Sequence, residues 1–125
     1  MQEDFRSNQT YEGNSAPGAT SFSAVAPAEG EEVQINELVA WHDDAGGATL
    51  NWYLDIGGVG MMIPIGATAA GVKVRLGAYY GSMPLIMPYD GYLAIEASAP
   101  LAAGKSFSVQ YHARKLRGVP SGVWT

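Results

Sequence analysis

The stretch Thr49-Leu50-Asn51-Trp52-Tyr53-Leu54-Asp55-Ile56 alternates apolar and polar side chains without a break. A period of two residues is typical of a β-strand that buries one of its two faces. Gly57-Gly58 ends this run at a turn, and the apolar run Val59–Ile65 follows it. Because proline has no N–H for the ladder, Pro64 places that second strand at an edge or an end of a sheet. The segment therefore predicts two consecutive strands.

The same pattern extends outward from this segment in both directions. Six further strands are predicted, at Ser21–Ala26, Glu32–His42, Val72–Tyr80, Met83–Pro88, Tyr92–Ala97 and Ser106–Leu116. Turn signals separate them, with Asp43–Gly47 and Asp90-Gly91 the strongest. Since no segment keeps a helical period over ten residues, we predict an all-β, antiparallel, jelly-roll-like β-sandwich of about eight strands.

Side-chain parity indicates which residues form the core. The predicted core contains Trp52, Leu54, Leu76, Leu93, Ile95, Phe107 and Val109. In Glu32–His42 the apolar parity is interrupted at Glu37, which predicts a β-bulge between Asn36 and Leu38. Trp41 shares the parity of Val33 and Ile35 and is predicted to be core, like Trp52.

Composition limits the class of protein. The chain has 125 residues, of which 47% are hydrophobic and 15% charged, and it has no cysteine. One domain with one core is expected, without disulfides or thiolate metal sites. No run approaches the ~20 apolar residues of a membrane-spanning helix, and the start is polar, so we expect neither a membrane partner nor a removed leader.

Charge divides the chain unevenly. Residues 1–32 contain six acids and one base, whereas residues 33–125 contain six of each. We predict an extended polar N-terminal arm over residues 1–20, a sandwich domain over 21–116 and an irregular tail over 117–125. An acidic arm disfavours nucleic acid as a partner.

The predicted arm has too few apolar residues to fold on itself, so we expect contacts with a neighbouring subunit to order it. The arm residues expected to contact that partner are Glu3, Asp4, Phe5, Arg6, Tyr11 and Glu12. On this interpretation, deletion of residues 1–18 would leave the isolated domain nearly as stable as before.

Candidate catalytic and metal sites are sparse. His42-Asp43-Asp44 is the densest group of ionisable residues, but two adjacent carboxylates supply too few oxygens for calcium, and aspartates before glycines favour turns. The histidines, His42 and His112, do not form the closely spaced pair of a cupin metal site, which leaves a cupin-like enzyme as the third interpretation. No nucleophile or phosphate-loop motif is present. We expect no enzyme, no catalytic residue, no metal and no cofactor.

Outward-facing aromatic residues are the remaining candidate feature. Tyr53 and Tyr79 fall on the polar parity of their predicted strands and are expected to be exposed. Exposed aromatic rings stack on sugars or pack in protein interfaces. An interface is favoured because soft, adaptable methionines accompany them, namely Met61, Met62, Met83 and Met87.

Four segments together resemble a known class of protein. The block Pro84–Ala97, the later Gly104–Ala113 and the earlier pair Val39–Ala45 and Leu50–Leu54 are similar to the strands of small jelly-roll decoration, or cement, proteins of tailed-bacteriophage capsids. The resemblance implies a structural virion protein on the capsid surface, made in the host cytoplasm. It also implies binding to the major capsid protein and to copies of itself, as a homo-oligomeric dimer or trimer. The alternative is a carbohydrate- or receptor-binding module of a phage tail or spike.

Overall fold

Two antiparallel sheets face each other in the computed structural model, which describes residues 9–116. The strands are β1 Gln9–Asn14, β2 Ser21–Val25, β3 Glu32–His42, β4 Ala48–Ile56, β5 Val59–Thr68, β6 Val74–Arg75, β7 Leu85–Met87, β8 Tyr92–Ala97 and β9 Phe107–Leu116. One short helix, α1 Leu76–Tyr80, lies between β6 and β7. No helix in the described range is long and apolar enough to cross a membrane.

The strand order identifies the type of sandwich. One sheet has the order β1-β9-β3-β6, with β7 also on β3, and the other has the order β2-β8-β4-β5. Both β6 and β7 pair with β3, so α1 interrupts what is in effect one strand position. Counted in this way, the eight described positions divide into two four-stranded sheets with the strand order of a jelly roll. The predicted jelly-roll-like sandwich is confirmed.

The core lies between the two sheets and follows the predicted parity. All seven residues predicted for the core are at most 2% exposed. Trp52 and Leu54 on β4 pair across the ladder with Ile95 and Leu93 on β8. Alternation along β4 therefore determines which face of the second sheet packs against the first.

The predicted bulge in β3 is confirmed, but its consequence for Trp41 was not foreseen. The β3–β9 register shifts between Ile35 and Glu37. A bulge adds one residue and inverts the parity that follows, so Leu38 points inward and Trp41 outward. The prediction that Trp41 is a core residue is therefore wrong. Its ring is half-buried on the outer face, with the Lys73 ammonium 4.7 Å from the ring centroid.

The predicted strand Val72–Tyr80 is also wrong over most of its length. Only Val74–Arg75 is a strand, and α1 follows at once. Glu37, at the β3 bulge, accepts a hydrogen bond from the Gly77 N–H at 3.1 Å and pairs with Arg75 at 3.0 Å. A carboxylate distant in sequence thus supplies an acceptor for the first turn of the helix.

Burial would raise the pKa of Glu37, but hydrogen bonds from Gly77, Leu38 and Arg75 outweigh it, so the pKa lies below its ordinary value. The carboxylate is therefore charged at neutral pH. In this form it ties the bulge of β3 to the junction of β6 and α1.

The turn at Asp90-Gly91 connects the two sheets. β7 belongs to the first sheet and β8 to the second, so this turn does not close a hairpin as its dipeptide signal suggested. A Cβ on Gly91 would lie 2.5 Å from the Asp55 carbonyl oxygen. The glycine is needed because the turn packs closely against the end of β4.

The N-terminal strand corrects the predicted extent of the arm. β1 pairs with β9 along its whole length, and the Tyr11 and Tyr111 rings stack with centroids 5.1 Å apart. An edge strand that buries only one face needs few apolar residues, which is why composition alone suggested an arm. The sandwich therefore includes residues from Gln9 onward. Residues 1–8, with Glu3, Asp4, Phe5 and Arg6, and the tail at 117–125 lie outside the described residues.

Candidate functional site

A group of exposed apolar side chains lies at the end of the second sheet where β4 turns into β5. Its members are Ile56, Val59, Met61, Met62, Tyr89 and Tyr92, which are between 36% and 70% exposed. We call this group the hairpin surface. Exposed apolar side chains that gather at one end of a folded domain can mark a site of interaction.

Two glycines create the tip of this surface. Gly57 and Gly58 have φ angles of 61° and 84°, as a two-residue hairpin turn requires. The turn pairs Ile56 with Val59, and the register continues with Leu54 opposite Met61. Val59 and Met61 thus lie on the core-facing side of the sheet, yet both are exposed. The hairpin therefore extends beyond the cover that the described part of the first sheet provides.

On the outer face of the second sheet, tyrosines border the hairpin surface. The Tyr53 and Tyr92 rings are tilted against each other with centroids 5.8 Å apart. The Tyr53 side chain also lies directly over Gly60, where any Cβ would clash with its hydroxyl. Desolvation, followed by the nearby Tyr53 and Asp55, raises the pKa of Tyr92 above its ordinary value. We call this pair of contacting rings, Tyr53 and Tyr92, the aromatic ledge.

The structure separates the two predicted outward tyrosines. Tyr53 is half-buried and contacts Tyr92, whereas Tyr79 is exposed on α1. Of the four methionines, Met61 and Met62 are exposed, Met83 is partly buried and Met87 is buried. Sequence reasoning did not single out Val59 or Tyr89. A signal was present, because residues 56–72 carry no charged side chain and include the strand that Pro64 marks as an edge.

The predicted arm contacts fall into two groups. Tyr11 and Glu12 lie on β1, where Tyr11 stacks on Tyr111 and the Gln110 amide is 3.4 Å from the Glu12 carboxylate. These contacts are made within the domain itself. The other four predicted contacts lie outside the described residues, and whether any of the six contacts a partner stays a prediction.

The segment His42-Asp43-Asp44 connects two loops through hydrogen bonds, and we call this connection the tie. The Asp43 carboxylate accepts the Ser106 N–H at 2.9 Å, and Asp44 accepts the Ala102 N–H at 2.8 Å. Buried His42 accepts the Asp44 N–H through Nδ1, so Nε2 carries the proton and donates to Thr68. The carboxylates thus fasten the β8–β9 loop to the β3–β4 turn.

A cleft of about 540 Å³ opens beside this tie, between the β3–β4 turn, the end of β5 and the β8–β9 loop. Glycine, alanine and threonine make up most of its wall, and the Asp44 carboxylate at its rim already holds two backbone N–H groups. Within residues 9–116, no group of three or more His, Cys, Asp or Glu side chains is placed to hold a metal ion.

Replacing Asp44 by asparagine is expected to lower the melting temperature at neutral pH. The Gly46 and Ala102 N–H groups bind different oxygens of the carboxylate, and asparagine replaces one of these oxygens by an NH2 donor. Those hydrogen bonds hold the pKa of Asp44 below its ordinary value of 3.8. A depressed carboxyl pKa contributes stability above the unfolded pKa, and this is lost as pH falls through the folded pKa. The difference between wild type and Asp44→Asn should therefore shrink below about pH 4.

Thermal melts between pH 3 and pH 7 (approximate limits set by the carboxyl titration range) measure this effect. Asp90→Asn is the control, because it makes the same charge change in a turn whose described hydrogen bond joins the Gly91 and Pro88 backbones. Equal melting temperatures for wild type and Asp44→Asn at neutral pH would show that the tie contributes nothing.

Comparison with known proteins gives few likenesses. No family model matches the chain, and no curated protein matches it. Among solved structures, it is similar to a chain of the extra small virus VLP of the giant freshwater prawn Macrobrachium rosenbergii, with a TM-score of 0.40 and 9% identity over 87% of this chain and 77% of that one. It is also similar to a chain of infectious bursal disease virus Gt strain, with a TM-score of 0.37 and 14% identity over 88% of this chain and 30% of that one.

Proposed function

We propose that this chain is a structural protein of a virus particle that decorates and stabilises the shell of the major capsid protein. The observation that carries the proposal is the hairpin surface, a group of exposed apolar side chains at one end of a well-packed sandwich. Residues 56–72, which supply four of its six members, carry no charge. The segment-wise resemblance to decoration proteins supports it, and so does the jelly-roll strand order. The role is binding without turnover of a substrate.

The hairpin surface has the chemistry of a protein contact. Exposed Tyr89 and Tyr92 supply large aromatic area, and aromatic residues and methionine are enriched where proteins meet. Unbranched methionines such as Met61 and Met62 adapt to the partner's shape. A small patch binds weakly by itself, but copies that are joined to one another would bind one shell with avidity.

Binding to assembled shells tests this proposal. Purified chain is mixed with shells of the major capsid protein from the virus that encodes it, and co-sedimentation and the temperature of shell disruption are measured. We expect saturable binding and a higher disruption temperature. Tyr89→Glu should weaken binding at least about tenfold, because it puts a charge into an apolar contact.

Val72→Glu is the matched control, since Val72 is 48% exposed, against 55% for Tyr89, and lies outside the hairpin surface. It should bind as wild type does. Chain that stays in the supernatant with intact shells would contradict the decoration role. Shells that fail to form at all without the chain would instead make it a shell-building subunit.

A second candidate function, carbohydrate binding, is favoured by the aromatic ledge. Tyr53 and Tyr92 lie beside polar groups of the same outer face, where the Asn51 amide donates to the Glu96 carboxylate at 3.0 Å. Aromatic rings next to amides and carboxylates can stack on and hydrogen-bond a sugar. A glycan array distinguishes the two functions. Binding lost in Tyr92→Ala but kept in Tyr89→Glu would assign the ledge to sugars.

A further inference from the structure

The free edge of β5 borders the hairpin surface. Among the described strands β5 is last in the order β2-β8-β4-β5, so one side of it has no partner strand there. It runs for ten residues, and Val59–Met62 is exposed without interruption. Edge strands of this kind are usually protected by charges, but residues 56–72 contain none.

The hairpin register identifies which backbone groups are free. In a two-residue hairpin the pair nearest the turn, Ile56 and Val59, exchanges its hydrogen bonds, and the pairs alternate from there. Gly60, Met62 and Pro64 therefore direct their backbone groups away from β4. Pro64 has no N–H to offer, so Gly60 and Met62 are the residues able to exchange both bonds with another strand.

These groups are complementary to themselves. An antiparallel copy of the strand can place Gly60 opposite the partner's Met62 and Met62 opposite the partner's Gly60, with the two-fold axis at Met61. Every free N–H of these residues then meets a carbonyl, and no bond is required from Pro64. Two copies of the chain repel each other, because each has a net charge of −5. Pairing through a segment without charged side chains keeps this repulsion small at the contact.

We propose that two copies of this chain pair through their β5 edges, antiparallel and centred on Met61, so that the second sheet continues across a two-fold axis. The partner is a second copy because the strand is self-complementary in hydrogen bonding and in its lack of charge. The inference deepens the proposed function by naming one partner of the hairpin surface. Tyr89 lies in the β7–β8 turn, outside the paired edge, and would still be able to contact the shell.

Cysteine cross-linking of the full chain tests the pairing and its register. The chain has no cysteine, so Met61→Cys introduces a single thiol. At the two-fold axis Met61 faces its own copy in a non-hydrogen-bonded pair, whose Cα separation of about 4.5 Å suits a disulfide. Under mild oxidation we expect a covalent dimer of twice 13.2 kDa on a non-reducing gel.

Val72→Cys is the matched control, because Val72 is 48% exposed and Met61 is 51% exposed. Met61→Cys should cross-link at least about tenfold faster, since pairing raises the effective concentration of the thiols. Adding Met62→Pro should abolish that advantage by removing a free-edge N–H while leaving the bonds to β4. If Met62→Pro proves unfolded by circular dichroism, Met62→Lys, which places a charge on the edge, should have the same effect.

Equal cross-linking rates for the two single-cysteine variants would overturn the proposal, and so would a cross-link that survives both Met62 substitutions. The experiment contains no shell, so it is independent of the decoration role. If Met61→Cys fails to cross-link but the chain binds shells normally, only the proposed β5 pairing is contradicted. Cross-linking without shell binding removes the decoration role alone.

Discussion

Replacement of Trp52 by alanine is expected to lower the free energy of unfolding by about 3–5 kcal/mol, the range for truncating a buried large aromatic side chain. Trp52 is 0% exposed and lies on β4, paired with Ile95 on one side and Ile63 on the other. Within residues 9–116, its indole N–H has no hydrogen-bond partner. The expected loss is therefore that of apolar contact and of the cavity left behind. Urea denaturation measures it.

Trp41→Ala is the matched control for this experiment, because it removes the same side chain from the outer face of the other sheet. Trp41 is half-buried and contacts the Lys73 ammonium. A cation–π contact and partial burial contribute about 0.5–2 kcal/mol together. Equal losses for the two variants would show that the bulge does not invert the parity of β3.

Deletion of residues 1–18 is expected to destabilise the domain, the opposite of what composition suggests. The deletion removes β1 and the Tyr11 ring that stacks on Tyr111, and it leaves β9 as an unpaired edge. Loss of several backbone hydrogen bonds and one aromatic pair corresponds to roughly 3–5 kcal/mol. The truncated chain should melt at a lower temperature and aggregate through the exposed strand.

Deletion of residues 1–8 is the control, since it ends before Gln9 and leaves every described pairing of β1 in place. Thermal unfolding by circular dichroism should place this variant close to the full chain. If deletion of residues 1–18 leaves the melting temperature unchanged, β1 is not part of the stable sandwich, and the arm predicted from composition extends through residue 14.

Part of the candidate site could be predicted from local sequence signals. Pro64 indicated an edge strand, Gly57-Gly58 indicated a turn, and Met61 and Met62 indicated apolar surface. Each of these conclusions depends on a few neighbouring residues. The exposure of Val59 and Tyr89 could not be predicted from the sequence, because it depends on how far the first sheet extends over the second.

The sequence by itself determined most of the strands and the core parity of β4, because alternation with a period of two is a local property of the chain. Thr49–Ile56 was predicted as a strand, and β4 spans Ala48–Ile56. The position of the bulge near Glu37 was also readable, since a charged residue broke an otherwise apolar parity.

Only the tertiary structure decided which of the locally possible conformations each remaining segment adopts. Leu76–Tyr80 is helical because Glu37, distant in the chain, supplies an acceptor to its first turn. Gln9–Asn14 is a strand because β9 offers its whole length as a partner. The Asp90-Gly91 turn joins two sheets because its neighbours pair with different strands. In each case the deciding free energy comes from contacts between residues far apart in sequence, which no local pattern records.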